Sequence, residues 1–154
     1  MKREFTYKFN EGPLRSEAEL AEDWNVGNCR RAVQYYIWEN RGTFLKPEQV
    51  LCPAGYYETG AFVAIHLNDF TFETLEDGDV IYAEAIRNKR DEPIKRSEQT
   101  FSSQDEYIIA LHTALFTGET GKEIWHATAV EGKSCYWPKE KFLQYYRPIA
   151  AKRI

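Results

Sequence analysis

No stretch of the 154-residue chain approaches the run of about 20 apolar residues that a membrane-spanning helix needs. No excess of basic residues is present either. The net charge is −4 and, apart from the 87–96 stretch, Lys and Arg are spread out, so general nucleic-acid affinity is not expected. Cysteine is sparse. Cys29, Cys52 and Cys135 make an odd count, which excludes a disulfide framework built from pairs alone. No two cysteines are spaced as in a zinc knuckle, and no metal or other cofactor is expected. The N-terminal residues Met1 to Phe9 hold no long apolar run, so no signal peptide is read and a reduced, cytoplasmic setting is expected. Internal repeats and low-complexity segments are also missing.

What is present is an ordinary globular composition, 43% hydrophobic and 29% charged, with aromatics at a high 15%. The length suits one domain, 1–154, with a real core. So many rings suggest a sheet-rich core or an aromatic-lined groove.

The most informative stretch runs from Trp24 to Trp38. Trp24 to Gly27 has neither a helical nor an alternating pattern and reads as a turn. Asn28 is a favoured N-cap residue. From there Cys29, Ala32, Val33, Tyr36 and Ile37 fall at i, i+3, i+4, i+7 and i+8, one face of a helix. The helix ends near Asn40 to Gly42, where glycine suits a C-cap. Cys29 therefore opens a helix at the edge of its inward face. The unpaired N–H groups and dipole of a helix N-terminus stabilise an anion, which favours a thiolate and suits the oxyanion of an attacked carbonyl. Taken alone, Cys29 would read as a small buried residue.

The rest of the chain is read in order. Residues 4–9 alternate Phe5, Tyr7 and Phe9 with polar partners, a half-buried strand. Ser16-Glu-Ala-Glu is a capping-box pattern and predicts a helix to about Trp24. Pro47 opens a short helix through Cys52, which reads as a packed residue. His66 lies in the apolar 61–67 stretch and reads as structural. A strand follows at 80–85. The charged 87–104 stretch reads as a surface loop, with closure over a site as its alternative. Strands follow at 107–116 and 123–130, and residues 134–137 are extended. Pro138 opens a brief helix, and residues 145–152 form a last strand that Pro148 places at an edge. Helices first and an antiparallel meander after them predict an α+β fold.

The hairpin 107–130 brings His112 and His126 together, with residue 113 expected roughly opposite 126. A cysteine on a helix N-terminus, a histidine on a central strand and a polar residue on the next strand supply a nucleophile, a base and an orienter.

This order resembles the NlpC-type, papain-like cysteine peptidases and amidases of bacterial cell-wall metabolism. Trp24-Asn25-Val26-Gly27-Asn28-Cys29 resembles the family's aromatic–glycine turn running into its Asp-Cys-Ser-Gly nucleophile helix. Leu75 to Tyr82 resembles its Leu-x-Pro-Gly-Asp-Leu entry to the first strand. His112 to Gly118 resembles the catalytic-histidine strand, and Trp125-His126-Ala127 the strand that carries the third polar residue. The similarity covers roughly residues 20–150, in the family's order. The chain departs from the pattern in three ways. Asn28 stands for the usual Asp, Arg30-Arg31 for Ser-Gly, and a charged insertion separates 86 from 106.

The resemblance implies a papain-like core and a cysteine hydrolase acting through a thioester on Cys29, with His112 as base and His126 as orienter. Its expected partner is a peptide or small amide, such as a cell-wall-type peptide. Trp24, Asn28, Arg31, Tyr56, Tyr57, Tyr82 and Trp137 are the candidate substrate-binding residues, Arg31 for an acidic group. Acyl transfer or thioester hydrolysis by the same triad, and an inactive ligand-binding module, remain open at this point. So does oligomeric state. A metal site built from Cys29, His112 and His126 lacks any motif spacing.

Overall fold

The computed structural model describes residues 3–50, 72–93 and 111–154. Two short strands come first, β1 (Thr6–Tyr7) and β2 (Val26–Gly27), followed by helix α1 (Cys29–Arg41) and the one-turn helix α2 (Pro47–Val50). Strands β3 (Val80–Ala85), β4 (Leu111–Glu119), β5 (Lys122–Thr128) and β6 (Lys133–Trp137) follow, then helix α3 (Lys139–Tyr145) and strand β7 (Tyr146–Lys152). Among the described residues the strands form one seven-stranded sheet, ordered β2-β1-β6-β5-β4-β3-β7. β1 and β2 run parallel and the other neighbours antiparallel, so the class is mixed α+β. Cys52, Tyr56, Tyr57 and His66, the 94–104 part of the charged stretch, and residues 107–110 of the strand expected at 107–116 lie outside the described residues.

The strands are buried on both sides because a helix covers each face of the sheet. Side chains alternate along a strand, so Val80 and Tyr82 point one way and Ile81 and Ala83 the other. Val80, Tyr82, Leu115 and Ala150 meet Val33 and Ile37 of α1. Ile81, Ala83, Ala114, Phe116 and Ile124 meet Phe142 of α3 and Trp137. That two-sided burial is why β4 reads as a continuous apolar run rather than an alternation. A third cluster joins Phe5, Trp24, Ala32, Tyr35, Trp125 and Ala127 under the N-terminal segment.

β7 closes the sheet order at one end, where Pro148 cannot break a second ladder. Helix α1 begins and ends as its sequence predicts. Gly42 adopts φ 67° and its N–H donates to the Trp38 carbonyl, the left-handed C-cap that glycine favours.

Three expectations change. The stretch read as a turn from Trp24 to Gly27 ends in strand β2, Val26–Gly27, which pairs with Thr6–Tyr7. The helix predicted from Ser16 to Trp24 is a single 3-10 turn at Glu17–Glu19. Ser16 makes no side-chain cap, and the Glu19 carboxylate accepts instead from the Arg15 N–H at 2.7 Å. Leu20 then leaves helical geometry at ψ 128°, so the capping box is never closed. The 4–9 strand pairs only at Thr6–Tyr7, because Phe9 is exposed and the chain turns toward Glu11.

Candidate active site

Asn28 builds the entrance to α1. Its Oδ1 accepts from the Arg30 N–H at 3.0 Å and the Arg31 N–H at 3.1 Å, satisfying two of the N–H groups that a helix start leaves open. Its own N–H donates to the Glu11 carbonyl at 2.7 Å, which anchors the cap to the N-terminal segment. Cys29 is the first residue of the helix and only 6% exposed. Its Sγ accepts from the Thr113 N–H at 3.4 Å. The sulfur thus lies against the backbone of β4, one residue from His112.

The two histidines meet on the α3 side of the sheet. The β4–β5 ladder pairs Leu115 with Trp125 and Phe116 with Ile124, one residue away from the expected 113–126 register. In this register His112, Ala114 and His126 share one face, whereas the expected one would have put the histidines on opposite faces. His112 Nε2 lies 2.8 Å from His126 Nδ1 in a hydrogen bond. Burial, helped by the charge of Arg30, pushes the His112 imidazole down to about 3. Burial, the neighbouring His112 and Lys141 hold His126 well below its ordinary value. Both rings are therefore neutral at pH 7.

A neutral imidazole is the form that takes a thiol proton. Because His112 Nε2 is committed to His126, Nδ1 is the ring nitrogen that remains. For Nδ1 to be free of hydrogen, Nε2–H must donate to His126 Nδ1. His126 then carries its own hydrogen on Nε2, a buried atom with no hydrogen-bond partner among the described residues. The ring stands edge-to-face with Trp137, centroids 4.5 Å apart.

Two tyrosines that the sequence reading did not single out complete the surroundings. Burial and then the charge of Cys29 push the Tyr7 phenol up to about 12, with Arg30 acting the other way. The Tyr146 phenol is raised by burial, and Cys29 adds to the shift. Tyr146 also stacks on His112, with centroids 4.1 Å apart and planes 13° from parallel. Tyr7 was legible as an inward strand residue, but nothing in its spacing linked it to Cys29.

The other expected residues fall in varied places. Trp24 is buried in the core against Tyr35, centroids 4.8 Å apart. Tyr82 is fully buried and its hydroxyl donates to the Gln49 carbonyl at 3.1 Å. These two side chains hold the fold under the site rather than line an open groove. Asn28 acts as the helix cap described above. Arg31 is a bracket: Nε donates to the Gly12 carbonyl at 2.6 Å and Nη1 to the Val26 carbonyl at 3.1 Å, with Glu11 3.5 Å away. Gly27 makes room for it, since a Cβ there would lie 2.6 Å from Arg31 Cδ and 2.7 Å from the Glu11 oxygen. The arginine that stands where the family pattern has glycine is thus accommodated by a glycine earlier in the turn. Trp137 is buried too and stands against His126.

Among the described residues no three His, Cys, Asp or Glu side chains are placed to hold a metal ion, and no helix is long and apolar enough to cross a membrane. Comparison with protein-family models, with curated proteins and with solved structures found no match.

Proposed function

We propose that this chain is a cysteine hydrolase of the peptidase or amidase type, with Cys29 as nucleophile, His112 as base and His126 as orienter. The observation that carries the reading is the 2.8 Å bond between His112 Nε2 and His126 Nδ1, made beside a cysteine on a helix N-terminus. Its support is chemical. His112 Nε2 is committed to an orienter, and its neighbour Thr113 touches the sulfur. The NlpC-type resemblance of the motifs and the α+β class agree with it.

In this mechanism the Cys29 thiol gives its proton to His112 Nδ1 as Sγ attacks the amide carbonyl. The imidazolium so formed donates Nε2–H to His126, which stabilises its charge. The Cys29 N–H, the first-turn donor that neither the Asn28 side chain nor its carbonyl takes, is the proposed donor to the developing oxyanion. His112 then protonates the leaving amine, which departs and leaves a thioester on Cys29. Water, deprotonated by the same histidine, releases the acid and restores the thiol. Peptides and small amides are the proposed substrates.

Incubation with a panel of peptide amides, followed by intact-protein mass spectrometry, tests the proposal. The expected result is an acyl adduct confined to Cys29, lost in Cys29→Ala, and slow turnover in His112→Ala. Turnover that survives Cys29→Ala would overturn it.

A further inference from the structure

Orienting a base needs more than one contact. An imidazole turns about two soft torsions, and a single hydrogen bond leaves the ring free to rock about it. In this site the second constraint is Tyr146. We infer that Tyr146 is a positioning residue for His112: its ring holds the imidazole plane so that Nε2 meets His126 and Nδ1 is kept for the proton of Cys29. The inference rests on the proposed reading of Cys29 and His112 as nucleophile and base.

The tyrosine is itself held at several points. Its backbone begins β7 and pairs with Ala85 of β3. Its hydroxyl is hydrogen-bonded to the Thr128 hydroxyl, on the strand that carries His126 and two residues beyond it. The Phe142 ring stacks behind it, centroids 5.1 Å apart and planes 27° from parallel. The Tyr146 ring lies nearly flat on His112, whereas His126 meets His112 edge-on at 75°. The face contact fixes the tilt of the imidazole and the edge contact fixes its rotation in the plane. One side chain therefore ties β5, which bears the orienter, to the base on β4. Burial keeps the phenol protonated, which leaves positioning, and not proton transfer, as its work.

The test uses Tyr146→Leu, which removes the ring, and Tyr146→Phe, which keeps it, each alone and combined with His112→Ala. Two signals are read: the imidazole nitrogen resonances of His112 and the iodoacetamide rate at Cys29, at pH 7. Tyr146→Leu is expected to abolish the hydrogen-bonded signature of His112 Nε2. It should slow Cys29 about tenfold, a part of what a general base supplies, while Tyr146→Phe stays within about threefold of the native rate. In the His112→Ala background Tyr146→Leu should change the rate by less than about twofold, because the two residues act as one unit.

Equal losses with and without His112 would reduce Tyr146 to a packing residue and overturn the inference. So would an unchanged nitrogen signature in folded Tyr146→Leu protein. Should that variant unfold in a urea titration, Tyr146→Met, flexible and without a ring face, takes its place with the same expected results. If His112→Ala alone leaves the Cys29 rate unchanged, the nucleophile–base reading falls instead. The His112 resonances then decide the role of Tyr146 separately.

Discussion

Acid should loosen this protein through its buried histidine pair. In the unfolded chain a histidine titrates near 6.5, whereas burial holds His112 at about 3 in the fold. A depressed pKa means that the native state binds fewer protons than the unfolded state below pH 6.5. The stability that His112 contributes is thus fully present above pH 6.5 and is lost progressively as pH falls toward 3. At pH 5 the loss is about 1.4 kcal/mol for each of roughly 1.5 pH units, or about 2 kcal/mol. His126, held low by burial and by His112, acts in the same direction. Urea unfolding at pH 7.5 and pH 5.0 measures the effect, for the native protein and for His112→Gln. Carboxylates contribute to both proteins and cancel in the comparison. The native protein is expected to lose about 2 kcal/mol more than the variant between the two pH values. Equal losses would refute the neutral buried base. A native protein that gains stability toward pH 5 relative to the variant would instead indicate a charged His112, paired with a thiolate in the resting state.

Three further outcomes follow from the geometry. Asn28→Ala removes the acceptor of two helix N–H groups and should cost about 1 kcal/mol in urea unfolding, while Asn28→Asp should retain most of that stability. Gly27→Ala places a Cβ 2.7 Å from the Glu11 carbonyl and should destabilise by about 1–3 kcal/mol. Arg31→Ala should relieve that variant only partly, because the carbonyl remains. By itself Arg31→Ala should lower stability by roughly 1–2 kcal/mol, through its lost bonds to Gly12 and Val26, as read by thermal melting.

Local rules carried the reading furthest where the structure is itself local. Asn28, the 3.6-residue spacing after it and Gly42 define α1, and all three appear as capping and packing in the fold. The strand at 80–85 was legible from its apolar run and the turn before it. The sequence also pointed to the two histidines, although their meeting depends on a register that a short hairpin pattern specifies only to within a residue. The Ser16 capping box failed because an acceptable start was not followed by a helical apolar face. Trp24 and Leu14 are instead drawn into the core beside Tyr35 and Ala32. The roles of Arg31 and Tyr146 were not legible at all. Each depends on partners far along the chain: Gly12 and Val26 for the arginine, Thr128 and His112 for the tyrosine. No periodicity records such contacts.

The central claim is that His112 activates Cys29, and cysteine alkylation tests it most directly. Iodoacetamide is applied across pH 5–9, and peptide mass spectrometry follows Cys29, Cys52 and Cys135 separately. Cys135 is an internal control, since burial pushes its thiol up to about 12. The account predicts that Cys29 reacts fastest at neutral pH and slows about a hundredfold in His112→Ala, the low end of what a general base supplies. Cys29 reacting no faster than the other two cysteines, or at the same rate without His112, would contradict it.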